Sequence, residues 1–342
     1  MRHGGKIRGA APWAAGILFI LTAGFIFASS ETASRPRIYA ANLLGVELSN
    51  PVVWLSADKI AFAGSLRAAN GVRNDSLYLW EITSKPVEVY SGTSGEIVEI
   101  IPLTTSSGVF QSTGPGPKFT KSYFRFDSSS AVAITAGEYL PYWNINLENR
   151  HAAPESLRKR AAETVNLATD SKNFEWFQAE LAADRTRAVL YKDVAYTGNG
   201  RPPERSEWED WATTNCRPFY SFEFATNQVA KHCLPYGGWS EVIVTPVVAA
   251  RETFFAGYAG NWASWSPEYF GIYRNTGTNL QNLYPKKHIK PPLLSPDGCK
   301  VAVVGRDTKA DAPVNVSNDN STLEVLDLCF LREGREGDQS LQ

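Results

Sequence analysis

Two tryptophan-rich segments contain the side chains whose types and spacing best suit ligand recognition. In the first segment, residues 192–215, two Trp flank a Glu and an Asp. The second segment, residues 257–267, combines a Tyr with two Trp. Large rings beside carboxylates suit the face of a sugar or a hot spot in a protein interface. The alternative is that these rings fill a central channel or hold their own loops in place. The candidate binding residues are Trp208, Glu209, Asp210, Trp211, Tyr258, Trp262 and Trp265.

Acidic residues in and near the first segment make glycoside hydrolysis the competing chemistry. A glycosidase needs two carboxyl groups about 5 to 10 Å apart, one of them acting as the acid. Sequence spacing does not establish that distance for any pair, so no catalytic residue is assigned. The acids concerned lie in the long loops 192–215 and 305–321, and they are Glu204, Glu207, Glu209, Asp210 and Asp311.

Other catalytic signatures are missing from the sequence. It has no Gly-x-Ser-x-Gly elbow and no phosphate-binding loop. The four His do not have the spacing of metal ligands, and His232 is interpreted as a strand residue. We therefore predict no metal and no cofactor. The net charge of −1 gives no reason to expect a nucleic-acid partner.

The elements that must position these residues are short apolar strands in a recurring pattern. The clearest copy is Leu293–Leu328, in which the turn Ser295–Gly298 precedes the strand Val301–Val304 and a long loop precedes Leu323–Leu328. The pattern recurs at Val52–Ile82, Phe177–Phe224 and Val242–Tyr273, and more weakly at Tyr123–Leu147, where Tyr142–Leu147 is the second strand. Repeats of this kind predict an all-β fold, a β-propeller of four-stranded blades over residues 36–331.

The strongest copies resemble a known repeat family. LSPDGCKVAVVG…LEVLDL and WLSADKIAF…LYLWEI are similar to the WD40-like repeat of exported TolB-type propellers. The resemblance implies a propeller fold and an exported protein. It implies no catalytic residue, because the signature of this repeat is structural.

Five blades are predicted, with six as the alternative. The sixth would arise if Glu96–Gln111, which is strand-like but lacks the repeat turn, belonged to an extra, incomplete blade. The last repeat supplies only three strands, so Ile38–Leu44 is expected to complete it as the outer strand. A frayed linker is the alternative for that segment. One short helix is predicted in an insertion at Ala153–Val165, with Pro154 in its first turn.

Loop lengths indicate where function resides. The connection between the second and third strand of a repeat is long, whereas its neighbours are short turns. Alternate connections of a blade emerge at opposite ends, so the long ones should share one face, and such loops commonly carry function. These connections are Ser65–Ser76, Lys192–Asn215, Gly257–Pro267 and Gly305–Ser321.

The two ends of the chain are expected to lie outside the propeller. Residues 1–30 have a basic start, the apolar run Trp13–Ala28 and small residues at 28–30, which is the layout of a secretory signal peptide. An uncleaved membrane anchor is the alternative, although 16 apolar residues fall short of the roughly 20 that a membrane span needs. The polar residues 332–342 predict a disordered tail.

Four Cys in an exported chain predict two disulfides. Cys299 opens one strand of the last repeat and Cys329 ends the next, so these two should pair. Cys216 and Cys233 then remain, flanking a hairpin whose turn lies slightly off centre. Free buried thiols are the alternative.

Together these features predict an exported propeller, periplasmic or secreted, that binds an envelope or extracellular protein or a glycan through its long loops. A carbohydrate-active enzyme using paired carboxylates on that face is the alternative function. A membrane contact is expected only through the N-terminal segment, if it stays uncleaved.

Overall fold

The computed structural model describes residues 35–43, 46–66, 74–92, 95–114, 120–169, 177–192, 214, 216–234, 243–258, 271–276, 280–288, 291–306 and 321–331. Met1–Arg35 and Pro36–Gln342 are two separate units. The strands and the helix described below belong to the second unit. Within the described residues, no helix combines the length and the apolar character needed to span a bilayer. The predicted signal segment and the predicted tail lie outside the described residues.

Five antiparallel sheets make up the fold, and each is named here as a blade. Blade 1 contains β2 (Val46–Trp54), β3 (Lys59–Leu66), β4 (Asp75–Glu81) and β5 (Val87–Tyr90). Blade 2 contains β6 (Glu96–Pro102), β7 (Gly108–Thr113), β8 (Lys121–Phe126) and β9 (Ala131–Ile134). Blade 3 contains β10 (Phe177–Leu181), β11 (Arg187–Lys192), β12 (Arg217–Glu223) and β13 (Gln228–Leu234).

Blade 4 contains β14 (Ile243–Val248), β15 (Thr253–Tyr258), β16 (Gly271–Asn275) and β17 (Leu280–Tyr284). Blade 5 contains β18 (Lys287–His288), β19 (Leu293–Leu294), β20 (Lys300–Arg306), β21 (Ser321–Asp327) and β1 (Arg37–Ala41). In blades 1 to 4 the strands pair in sequence order, and in blade 5 both β18 and β19 pair with β20. Because β18 and β19 pair with successive parts of β20, they occupy one strand position, and blade 5 also has four positions. The prediction of five four-stranded blades is therefore confirmed.

Apolar clusters join neighbouring blades at four seams. Phe62 and Trp80 of blade 1 pack with Leu323 and Val325 of blade 5, and similar clusters join blades 1 and 2, blades 3 and 4, and blades 4 and 5. A strand buried on both faces needs a cover on both, and each blade obtains it from its neighbours. This is the packing of a β-propeller.

The N-terminal strand closes the ring, as predicted. β1 pairs antiparallel with β21, with Ile38 opposite Leu326 and Ala41 opposite Leu323. Ala41 is buried in the seam between blades 5 and 1, and the Arg37 guanidinium lies 4.4 Å from the centroid of the Phe330 ring. The strand spans Arg37–Ala41, because the backbone turns at Asn42 and Leu43 instead of continuing to Leu44.

Blade 2 differs from its prediction. The weak repeat was expected to begin at Tyr123, but the blade begins at Glu96, so Glu96–Gln111 supplies its first strands and not an extra blade. Tyr142–Leu147, expected as a strand, lies in the helix α1 (Ala136–Thr169). In α1 the rings of Tyr139, Tyr142 and Trp143 pack together against blade 2, and their spacing of three and four residues is that of one helix face.

A capping box starts the helix at Ala136, 17 residues earlier than the predicted start at Ala153. The Thr135 Oγ1 accepts a bond from the Glu138 N–H at 3.3 Å, and the Glu138 carboxylate accepts one from the Thr135 N–H at 2.8 Å. These bonds to the Thr135 N–H and hydroxyl lower the pKa of Glu138. The stabilisation that this carboxylate contributes is fully present above the pKa that it has in the unfolded chain. It is lost as the pH falls through the lowered pKa of the folded protein.

Helix α1 also fills the remaining seam, between blades 2 and 3. Its start packs on Ile101 and Val109 of blade 2 through Tyr139, and Ala161 and Val165 pack on blade 3. Arg158 donates to the Ala179 carbonyl at 2.9 Å, and Arg160 donates to the Asn227 side chain at 2.7 Å. The predicted short helix is therefore a 34-residue element that covers both sheets.

Replacing Thr135 with Ala should lower the free energy of unfolding by about 0.5–2 kcal/mol, because the first turn of α1 loses its side-chain acceptor. Urea denaturation followed by circular dichroism measures this loss. Thr164→Ala is the matched control, since its hydroxyl donates to the Arg160 carbonyl inside the helix and caps nothing. An equal loss in both variants would show that the capping box does not define the start of α1.

Candidate functional site

The long connections leave the blades at one end, which we call the long-connection face. It is defined by the points where second strands end and third strands begin, at Leu66 and Asp75, Lys192 and Arg217, Tyr258 and Gly271, and Arg306 and Ser321. In each of these four blades the two strands are antiparallel neighbours, so the two points of a pair lie at the same end of that sheet. The connections themselves lie outside the described residues, so their clustering on one face stays a prediction.

The structure describes only one of the predicted binding residues. Tyr258 is the last residue of β15 and pairs with Ile243, so it belongs to a strand and not to the loop predicted to begin at Gly257. The others, Trp208, Glu209, Asp210, Trp211, Trp262 and Trp265, lie outside the described residues. The further acids Glu204, Glu207 and Asp311 also lie outside them.

A cleft opens at the long-connection face between blades 3 and 4. The space between its walls amounts to about 230 Å³, a volume that includes open solvent. Its walls come from the end of β11, the start of β12, the end of β13 and the strands β14 and β15. The lining residues are Tyr191, Arg217, Pro218, Phe219, Leu234, Val244, Pro246 and Phe255.

Both tryptophan-rich connections begin from strands that line this cleft. The connection with Trp208 and Trp211 joins β11 to β12, and the one with Trp262 and Trp265 follows β15. No local sequence signal predicted the cleft, because its walls come from five successive strands that meet only when blades 3 and 4 pack. The segment Cys216–Phe219, in which an Arg, a Pro and a Phe follow a Cys, was the nearest local signal.

Arg217 is the one charged residue among those that line the cleft, and it is only 5% exposed. Arginine side chains are positively charged near neutral pH. Phe219, two residues from Arg217 along the same strand, and Phe255 of blade 4 form the apolar part, with ring centroids 4.7 Å apart in an edge-to-face arrangement. The cleft therefore combines a buried cation with aromatic surface.

A disulfide holds the strand ends beside the cleft. Cys216, next to Arg217, is bonded to Cys233, with the two Cα atoms 4.9 Å apart. The register partner of Cys233 is Pro218, so the bond joins residues offset along the hairpin, as its off-centre turn predicted. Cys299 and Cys329 form the second bond, with Cα atoms 5.1 Å apart. Both predicted pairings are confirmed.

Two buried carboxylates near the long-connection face have structural roles. Asp75 of blade 1 accepts a hydrogen bond from the Ile97 N–H of blade 2 at 3.0 Å. Glu324 of blade 5 accepts bonds from the Tyr284 hydroxyl and, at 2.7 Å, from the Lys286 ammonium. Each carboxylate joins two successive blades. Within the part of the chain that the structure describes, no group of His, Cys, Asp and Glu is arranged to hold a metal ion.

The five sheets and the closing strand define the protein as a five-bladed β-propeller with a cleft on its long-connection face. No family model and no curated protein matches the chain. Solved structures do match, at low identity. One is the β-propeller domain of the Trilobed protease from Pyrococcus furiosus, with 11% identity over 82% of this chain and 69% of that one and a TM-score of 0.26.

A putative TolB from Agrobacterium tumefaciens also matches, with 10% identity over 81% of this chain and 72% of that one and a TM-score of 0.20. An oligogalacturonate lyase in complex with manganese matches with 9% identity over 84% of this chain and 67% of that one, at a TM-score of 0.23. A TolB protein is thus among the matched structures. The propeller assignment itself rests on the five sheets of this chain.

Proposed function

We propose that this protein is an exported β-propeller that recognises a protein or a glycan through its long-connection face. One observation carries the proposal: the cleft between blades 3 and 4 lies between the strands from which both tryptophan-rich connections begin. The rigid sheets supply the scaffold, and the connections and the cleft supply the variable surface.

The chemistry of the cleft supports recognition. Tyr, Trp and Arg are the residue types that dominate binding energy in protein interfaces, because they bury large areas while keeping polar groups available. Aromatic rings likewise stack on the apolar faces of sugars. Tyr191, Phe219 and Arg217 line the cleft, and Trp208, Trp211, Trp262 and Trp265 follow in the adjoining connections.

The cysteines support export to an oxidising compartment. All cysteines among the described residues are in disulfides, and such bonds form and persist in the periplasm or outside the cell. The layout of residues 1–30 as a signal peptide agrees with this localisation. Edman sequencing of the mature protein tests the cleavage near residue 30, and an intact N-terminus would support the membrane-anchored alternative.

Binding is tested by replacing both Trp208 and Trp211 with Ala. We expect the melting temperature to stay unchanged and the affinity for the partner to fall by about 2 kcal/mol or more, close to 30-fold, if these rings form a hot spot. The partner is first identified by a glycan array and by a pull-down from the cell envelope. Calorimetry then measures the affinity of the wild type and of the variant.

Trp54→Ala is the control, because Trp54 ends β2 at the opposite end of blade 1 and donates to the Leu293 carbonyl at 2.9 Å. This variant should lose stability and keep its affinity. A large drop in melting temperature for the double variant would show that Trp208 and Trp211 are packing residues. Unchanged stability together with unchanged affinity would also contradict the proposal for these two residues.

The same glycan array separates recognition from glycoside hydrolysis. A bound glycan that stays intact supports recognition, whereas release of reducing ends supports the enzyme. In the second case Glu204, Glu207, Glu209, Asp210 and Asp311 are the acids to replace one at a time, and loss of turnover with retained binding would identify the catalytic pair.

A further inference from the structure

A serine and a histidine lie within hydrogen-bond distance on the face of blade 3 that packs against blade 4. The Ser221 Oγ is 2.8 Å from the His232 Nε2. Ser221 lies on β12 opposite Ala230, and His232 lies on the outer strand β13 opposite Phe219. The pair thus forms diagonally across two strands, which explains why no local sequence motif indicated it.

The histidine is placed to accept a proton. Its ring stacks on Phe219, with centroids 5.0 Å apart and planes 17° from parallel. This cover removes part of the ring from water and lowers the pKa of His232, although the residue as a whole stays exposed. At neutral pH the ring is therefore uncharged, and the Nε2 can accept the hydroxyl proton when the other nitrogen carries the hydrogen.

Successive contacts between aromatic rings connect this pair to the cleft. Phe255 contacts Phe219 edge-to-face, Phe219 stacks on His232, and His232 bonds to Ser221. Phe219 and Phe255 also line the cleft, so the cleft and the Ser221–His232 pair share the Phe219 ring. Ser221 is half-buried and His232 is exposed, so the pair is accessible from solvent.

We propose that Ser221 is a nucleophile, activated by His232, that reacts with esters of apolar carboxylic acids. The Ser221 Oγ forms a bond to the acyl carbon while the His232 Nε2 takes the hydroxyl proton. The bond from the acyl carbon to the alcohol oxygen breaks, and that oxygen receives the proton from His232. Water then attacks the acyl-serine by the same route, which releases the acid and regenerates Ser221.

The activity is expected to be slow and selective for reactive esters. Among the described residues no carboxylate bonds to the second ring nitrogen of His232, and a triad without its acid loses several orders of magnitude in turnover. The activity is separate from the proposed recognition, since it requires neither tryptophan-rich connection.

Labelling of the intact, non-reduced protein with a fluorophosphonate tests the proposal. We expect one label per chain, located at Ser221 by peptide mass spectrometry, and hydrolysis of p-nitrophenyl butyrate that the label abolishes. His232→Gln should slow labelling about 100-fold or more, the contribution typical of a general base. Ser221→Ala should remove labelling entirely.

Ser129→Ala is the matched control, because Ser129 is exposed and its hydroxyl bonds to the Asp127 carboxylate at 2.8 Å and not to a histidine. It should label at the wild-type rate. Mapping the label in the wild type does not depend on whether a variant folds. A wild-type protein that takes no label, or one labelled at another residue, would overturn the proposal.

Discussion

Replacing Glu324 with Ala is expected to lower the free energy of unfolding by about 1–3 kcal/mol, because it removes a buried acceptor that bonds to the buried Tyr284 hydroxyl and to the partly exposed Lys286 ammonium. Glu324 is 5% exposed and joins blade 5 to Tyr284 and Lys286 at the end of blade 4. The variant removes the Glu324 carboxylate from both the Lys286 ammonium and the Tyr284 hydroxyl. The backbone approaches closely here, since a Cβ on Gly305 would lie 2.0 Å from the Tyr284 hydroxyl oxygen.

Glu252→Ala is the matched control for this prediction. The Glu252 carboxylate makes two bonds to Arg274, at 2.6 and 2.7 Å, but its side chain is 34% exposed. Water can replace much of that interaction, so we expect a loss of about 1 kcal/mol or less. Chemical denaturation of both variants measures the difference. An equal loss would show that burial between the blades does not strengthen the Glu324 contacts.

Removing the Cys299–Cys329 disulfide by a double Ala substitution should lower the free energy of unfolding by about 3–4 kcal/mol. The reason is that the bond restricts the unfolded chain over a separation of 30 residues. The bond also ties β20 to the end of β21, the strand on which β1 closes the ring. Thermal and urea unfolding of the oxidised protein and of the variant measure the loss.

The Cys216–Cys233 bond provides the comparison, since it spans a separation of only 17 residues and its loss should cost about 3 kcal/mol. Its removal should in addition weaken partner binding, because it holds the strand ends beside Arg217. Removal of Cys299 and Cys329 should leave binding unchanged at temperatures where the variant is folded. A binding loss confined to the Cys299–Cys329 variant would contradict this division of roles.

The blades that sequence analysis predicted well are those with a strong local signal. In the turn Ser295–Gly298 the Asp297 carboxylate accepts the Cys299 N–H at 3.0 Å, and Gly298 has a φ of 71° that few other residues adopt. The strand that follows is apolar on both faces. Such turns and strands are determined by neighbouring residues, so the sequence pattern is sufficient.

The second blade and the helix were predicted wrongly because a segment whose polarity alternates can form either a strand or part of a helix. Tyr142–Leu147 alternates in polarity as a strand does, but Thr135 and Glu138 cap a helix just before it. The capping-box sequence was visible and outweighs the alternation. Pro154, taken as the mark of a helix start, lies inside α1. The cleft needed long-range information, since Tyr191, Arg217 and Phe255 meet only after blades 3 and 4 pack.

The pairing of β1 with β21 has a consequence for biosynthesis. Arg37 emerges from the ribosome among the first residues of the propeller, whereas its partner Asp327 is among the last. The ring therefore stays open during translation, and its closure follows synthesis and carries a large entropic cost of loop closure. During that interval the edge of β21 is unpaired, and at high concentration the β1 of a second molecule can occupy it. The yield of monomer should accordingly depend on the rate of expression.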